Sequence, residues 1–231
     1  MNKQFSSDGL VKLAIIPRTK GGLSRQQLRS HLELVHGPLC LRHDDVSGKF
    51  RTYTHNYVLD EPDCLFASAA LPDRDALTTM RFGAPGDIAA SMTSSGYTDH
   101  VGPDEDNFRE IEGSVAMLVR EWTILPDDRT ATRKLFVFWN ADAQDESRAT
   151  MWAGIVSTLL AATHNHGLLG YSVNWVTQVL QGATPGSQFD EIAYQRGSDL
   201  SKIARELTEA SQGFFSGTHT SGVVAEPRHF V

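Results

Sequence analysis

Tyr53-Thr-His-Asn-Tyr-Val58 recurs as Tyr171-Ser-Val-Asn-Trp-Val176, and each copy follows a Lys-Leu-led apolar run, Lys12-Leu-Ala-Ile-Ile-Pro17 and Lys134-Leu-Phe-Val-Phe-Trp139. A third pair of landmarks, Phe82-Gly83 and Arg196-Gly197, follows at matching intervals. Agreement of order and spacing in three places marks a duplicated fold, in which two units of about a hundred residues each cover the other's open face. The expected division is a first repeat over 1–125, a polar, breaker-rich linker over 126–132 and a second repeat over 133–231.

Outward from these segments, 11–17 reads as a strand, Gly21-Gly22 breaks it, and Ser24 is a candidate N-cap for a helix over 24–35. Leu28, Leu32 and Val35 form the apolar stripe of that helix, and Gly37-Pro38 is expected to end it. In the strand over 50–59, alternation puts Arg51, Tyr53, His55 and Tyr57 on one face and Thr52, Thr54, Asn56 and Val58 on the other. A strand over 75–82, a helix over 87–93 and a strand over 113–124 complete the first unit as βαββαβ. The second unit repeats the order, with strands over 133–140, 170–180, 189–196 and 219–230 and helices over 146–162 and 200–210. Such a unit makes a four-stranded antiparallel sheet with both helices on one face, and its bare face is buried against a second sheet.

The chain has 231 residues, 40% hydrophobic and 21% charged, which is ordinary globular composition. A net charge of −7, with Lys and Arg scattered, argues against nucleic acid and against an anionic membrane surface, and points to a small neutral or weakly acidic ligand. No apolar run reaches membrane-spanning length and the first residues lack the apolar core of a signal peptide, so the expected compartment is the cytoplasm. Cys40 and Cys64 form no CxxC pair and are read as packing residues.

His31 and His36 are five apart, about 500° around an α-helix, and so are expected at opposite edges of the stripe without sharing a metal. His164-Asn-His166 is the best remaining candidate for a metal, and none is expected. His36, before Gly-Pro at a helix C-terminus, suits a general acid or base because the dipole favours its protonated form. His31 is either a core-edge histidine or a substrate contact. Tyr53, His55 and Tyr57 give one surface two phenols and an imidazole, able to bind and polarise a phenolic or carbonyl compound. Recurrence of the aromatic pair as Tyr171 and Trp175 favours packing for Tyr53 and Tyr57, whereas His55 has Val173 as its counterpart and is the asymmetry expected of a site. Asn56 and Asn174 recur together, as structural hydrogen-bonding residues do. Trp122, Trp139, Trp152 and Trp175 with Phe136 and Phe138 make an aromatic interior, either core or the wall of a pocket for a flat ligand. Asp99, His100, Asp104 and Glu105 are read first as solvated loop residues, with helix-capping or rim contacts and then a catalytic carboxylate as the alternatives.

Gly22 to Leu39, Arg51 to Val58, and Tyr97 with Pro103-Asp-Glu-Asp-Asn-Phe108 together resemble the EthD-domain family over roughly residues 10–125. The second half resembles it only through the internal repeat, lacking the two-histidine helix and the Pro-Asp-Glu segment. His55-Asn56-Tyr57 replaces the family's usual Gln-Asn-His, and Leu32 replaces its usual Trp. The resemblance implies an α+β fold of tandem ferredoxin-like repeats, closed within one chain as a dimeric α+β barrel, with ligands held between sheet and helices. It also implies fungal decarboxylases of aromatic polyketide acids and proteins of organic-compound degradation among the relatives.

No dinucleotide, Walker or nucleophile-elbow motif is present, so chemistry run by side chains without a cofactor is expected. The expected function is a cofactor-independent lyase acting on a small aromatic or polyketide-like carbonyl compound by decarboxylation, dehydration or retro-aldol cleavage. The expected catalytic residues are His36, His55 and Tyr53, and the expected substrate contacts are His31, Tyr57, Trp139 and Trp175. A cofactor-free monooxygenase and a non-catalytic binding protein for a hydrophobic metabolite are the alternatives, and association of two chains as a homodimer is left open.

Overall fold

Eight strands close into one barrel in a computed structural model that describes residues 9–60, 73–127, 129–139, 146–162, 167–212, 214–215 and 221–231. Cys64, His164 and His166 lie outside the described residues. The strands are β1 (Val11–Thr19), β2 (Phe50–Val58), β3 (Ala76–Phe82), β4 (Arg109–Leu125), β5 (Arg133–Trp139), β6 (Gly170–Gln181), β7 (Gln188–Tyr194) and β8 (Ser221–His229). Their order around the barrel is β1-β3-β2-β8-β5-β7-β6-β4, with every neighbouring pair antiparallel. Each half thus supplies the four-stranded sheet expected of a βαββαβ unit, and the β2–β8 and β4–β6 seams join them. Asn56 pairs with Pro227 across the first seam, so Pro227 is accommodated within β8.

Alternation along the strands separates two environments. Ala14, Ile16, Leu77, Met117, Val119, Phe136, Phe138, Val176, Phe189 and Ala225 fill the barrel lumen. Between the second sheet and helices α6 (Glu146–Ala162) and α7 (Ser201–Gln212), Trp122, Trp139, Trp152, Tyr171, Trp175 and Phe215 form a continuous core. All four tryptophans belong to it, which decides for core over a ligand wall.

The helical layer over the first sheet departs from the sequence reading. The helix α1 (Arg25–His31) begins as expected at Ser24, whose hydroxyl accepts from Gln27 N–H while Gln27 answers with its side chain. It then passes through a π-helical turn, Leu32–His36, straight into α2 (Gly37–Arg42), and Gly37-Pro38 continues the helical path instead of ending it. The wide turn lets Gly37 N–H bond Leu32 C=O, and Pro38 takes a position that needs no donor. A Cβ on Gly37 would meet the Phe230 ring at 2.5 Å, so this approach requires glycine. The device occurs twice: α3 (Asp44–Ser47) and α4 (Pro85–Met92) are followed by a second π turn, Tyr97–Val101, which leads through Gly102-Pro103 into α5 (Gly102–Glu105). Among the described residues no helix is long and apolar enough to cross a membrane.

Candidate active site

A cleft lies between the first sheet and its helices. Its wall is mainly apolar, with Leu13, Ile15, Val46, Phe50, Phe82 and Ile88 among its residues. The polar groups that reach it are His36, Cys40, Tyr53, His55, Thr78, Ser91, Tyr97, Glu105 and Arg109.

A chain of hydrogen-bonding groups runs along this wall. Asp104 Oδ2 lies 3.0 Å from His36 Nδ1 and 3.0 Å from His31 Nε2, and Asn107 donates to its other oxygen at 3.1 Å. His36 Nε2 is 3.7 Å from Cys40 Sγ, which is 3.6 Å from the Tyr53 hydroxyl. That hydroxyl lies 3.0 Å from His55 Nε2, and His55 Nδ1 is 2.8 Å from Thr78 Oγ1. His31 and His36 therefore converge on one carboxylate, contrary to their expected separation. The reason is the π turn: it advances about 82° per residue where an α-helix advances about 100°, so five residues return to the same face. The helix-dipole argument for His36 fails with it, because no helix ends there.

Burial opposes charge on His36, but hydrogen bonds to Asp104 and to Cys40 outweigh it and raise its pKa to about 9. Burial, aided by the nearby His36 charge, lowers His55 to about 3. Burial likewise pushes Tyr53 well above the usual phenol value, with Cys40 adding to it. Burial works against ionisation of Asp104 too, yet His36, Asn107 and His31 hold its pKa below the usual carboxylate range. At neutral pH the wall thus carries an imidazolium at His36, a phenol donor at Tyr53 and a neutral imidazole at His55, in that order.

Of the expected site residues, His36, Tyr53 and His55 share the cleft wall. His31 stands behind His36 on the shared carboxylate. Tyr57 leaves the cleft and packs with Leu28, Leu32, Ala76 and Phe108, with the Arg29 guanidinium 4.7 Å from its ring centre. Trp139 and Trp175 belong to the core of the second half, outside the cleft lining. Asn56 donates to Leu77 C=O at 2.9 Å, and Asn174 accepts from Lys12 at 2.9 Å.

Cys40, Thr78 and Arg109 carry no site signal in the sequence, and Asp104 and Glu105 carry one only as the least favoured reading of their cluster. Asp104 and Glu105 are not solvated loop residues, since their side chains are 10% and 14% exposed. Cys40 is buried, yet it bridges His36 and Tyr53 and does more than pack. The available signal was the repeated Gly-Pro pair, with Cys40 two residues after Pro38 and Asp104 one residue after Pro103.

The second half has the same place filled. Tyr171 and Val173 stand where the first half has Tyr53 and His55, and Asp190 pairs with Val173 as Thr78 pairs with His55. Asp190 Oδ2 accepts from Trp139 Nε1, Trp152 Nε1 and the Tyr171 hydroxyl at 2.9, 2.9 and 2.7 Å. Trp139 occupies the position of Pro17, which in the first half leaves the cleft open. Among the described residues no group of three His, Cys, Asp or Glu side chains is placed to hold a metal ion.

Together these features define an α+β barrel closed within one chain, with a polar relay confined to one half. The EthD-domain family model matches residues 20–112, within the first half of this chain. No curated protein matches the sequence. Among solved structures, an anthrone oxidase-like protein is 9% identical with a TM-score of 0.60, covering 95% of this chain and 92% of its own. A monooxygenase-like protein from Lactobacillus acidophilus NCFM is 8% identical with a TM-score of 0.57, over 94% and 93% of the two chains. A chlorite dismutase variant from Candidatus Nitrospira defluvii is 11% identical with a TM-score of 0.57, over 96% and 93%. These likenesses are likenesses of fold.

Proposed function

We propose that this cleft is the active site of a cofactor-independent lyase acting on a small aromatic or polyketide-like carbonyl compound. The observation that carries the reading is the pair of histidines driven apart in pKa, His36 up to about 9 and His55 down to about 3, on either side of Tyr53. Such splitting assigns acid and base. In decarboxylation of a hydroxyaryl acid, the His36 imidazolium gives its proton to the ring carbon that bears the carboxylate. The carbon–carbon bond then breaks, its electrons restore the ring, carbon dioxide leaves, and solvent returns a proton to His36. Asp104 holds the imidazolium in place throughout. Tyr53, positioned by the neutral His55 at 3.0 Å, donates to the substrate oxygen, so the developing oxyanion meets a positioned donor.

The second reading is a cofactor-free monooxygenase, favoured by likeness of fold to the anthrone oxidase-like protein over 95% of this chain. In it a substrate carbanion, its oxygen held by the same Tyr53, reacts with dioxygen, one oxygen atom entering the product and the other leaving as water. The deciding experiment incubates the protein with aromatic β-keto acids, hydroxyaryl acids and β-hydroxy aryl ketones while mass spectrometry follows products and an electrode follows oxygen. Carbon dioxide, water or aldehyde release without oxygen uptake, lost in His36→Gln, is the expected result. Oxygen-dependent product would replace the lyase with the monooxygenase, and binding without turnover would leave a carrier.

A further inference from the structure

The guanidinium of Arg109 is a feature of the cleft that the acid–base relay leaves unused. Arg109 opens β4 opposite Thr19 of β1, and its side chain is 10% exposed. One nitrogen, Nη2, bonds Glu105 one helical turn earlier. Nε and Nη1 are buried and have no partner among the described residues. Glu105 does not satisfy them, because its other oxygen accepts from the Tyr97 hydroxyl at 3.0 Å. Burial and the neighbouring Glu105 carboxylate raise the Tyr97 phenol, so it remains a donor. Buried guanidinium donors without acceptors are rare, because each forfeits its hydration without compensation.

Arg109, Glu105 and Tyr97 all line the cleft, whose remaining wall is largely apolar. With Nη2 on Glu105, the free Nε–H and Nη1–H face different edges of the guanidinium, and either can give a charge-assisted hydrogen bond to a carboxylate oxygen. We propose that Arg109 is the anion-binding residue of this cleft, and that its ligands are aromatic acids whose carboxylate accepts from Arg109 while the ring lies on the apolar wall. This deepens the functional reading above by narrowing its substrates to carboxylates, and it rests on that reading only for the word substrate. Glu105 tempers the charge: it holds the guanidinium in position but competes electrostatically with the incoming anion.

The test is calorimetric binding of 2-naphthoate and of 2-naphthamide, an acid and its neutral counterpart, to the full chain. Wild type is expected to bind the acid at least about tenfold more tightly, the usual scale of a charge-assisted hydrogen bond. Arg109→Gln is expected to abolish that preference with the amide unchanged, and Arg109→Lys to retain part of it. Glu105→Gln, which keeps an acceptor for Tyr97, is expected to tighten the acid several-fold, a change that a purely structural Arg109 would not produce. Equal affinity for acid and amide in wild type overturns the proposal, and so does equal weakening of both ligands by Arg109→Gln. Should that variant not fold, unchanged acid affinity in both Arg109→Lys and Glu105→Gln overturns it. Because binding is read without turnover, selective binding by a protein that transforms nothing would sink the lyase and leave this subsite standing.

Discussion

In the proposed reaction His36 is the acid, and its charge is sustained against burial by Asp104 in the first place. In Asp104→Asn the largest opponent of burial is gone and only Cys40 and Glu105 still favour the charge, so the His36 pKa is expected to fall from about 9. NMR titration of the His36 ring reads this directly; a pKa still near 9 would show that Asp104 is not the cause. Activity that needs His36 protonated and His55 neutral should hold a plateau between about 3 and about 9, not a narrow bell near 6.5. The two histidines act oppositely on stability. His36, raised above its unfolded value, contributes stability that is complete below pH 6.5 and is lost as pH rises through about 9. His55, depressed, favours the fold above pH 6.5 and loses that contribution as pH falls towards about 3.

At the scale of elements, the π turn Leu32–His36 decides which side chains meet. It bulges Leu34 outward to 72% exposure and gives Pro38 a place without a lost hydrogen bond. Deleting Leu34 should convert the segment to a regular α-helix, where His31 and His36 become i,i+4 neighbours still on one face, but Pro38 then falls in a helix interior at a cost of about 3 kcal/mol. Adding Pro38→Ala to the deletion should return most of that loss in a urea melt; no recovery would mean that Pro38 is not what the turn accommodates. Strand alternation was enough to place Tyr53 and His55 together on the helix-covered face, because a two-residue period survives twist and bulge. Helical phase was not, since one extra residue per turn moves His36 across the stripe and the i,i+4 habit hides it. The pairing of Asp104 with His36 is hidden for a related reason: the two meet only through tertiary packing of two separate π turns. In the second half, Asp190 is raised by burial to about 7 despite three donors on one oxygen. A carboxyl raised in the folded state gives stability that is lost as pH rises from about 4 through about 7. Asp190→Asn should flatten the melting-temperature slope over that interval; an unaltered slope would place the titration elsewhere.

Across the whole molecule, the two halves are held together by charge inside the lumen as well as by strand seams. Lys12 Nζ of β1 touches Glu121 of β4 at 3.0 Å, Asn174 of β6 at 2.9 Å and Glu191 of β7 at 2.5 Å. Arg81 completes Glu121, and Lys134 completes Glu191. The repeated Lys-Leu landmark therefore encodes a buried cation in each half, and Lys12 crosses from one half to the other. Lys12→Met leaves two buried carboxylates facing each other with one neutralising charge removed, a change expected to cost about 3–5 kcal/mol. Adding Glu191→Gln removes one of the two charges, so the double variant should be more stable than the sum of the single effects. The distribution of tryptophan allows a sharper test. Three of the tryptophans belong to the second half and Trp122, on β4, packs into the same core, so their fluorescence reports chiefly that core while far-ultraviolet circular dichroism reports both halves. If Lys12 binds the halves into one cooperative unit, Lys12→Met, a change in β1, shifts the fluorescence and dichroism transitions together by the same denaturant increment. A fluorescence transition left at its wild-type midpoint while dichroism moves would mean that the halves unfold separately and that the lumen network is local.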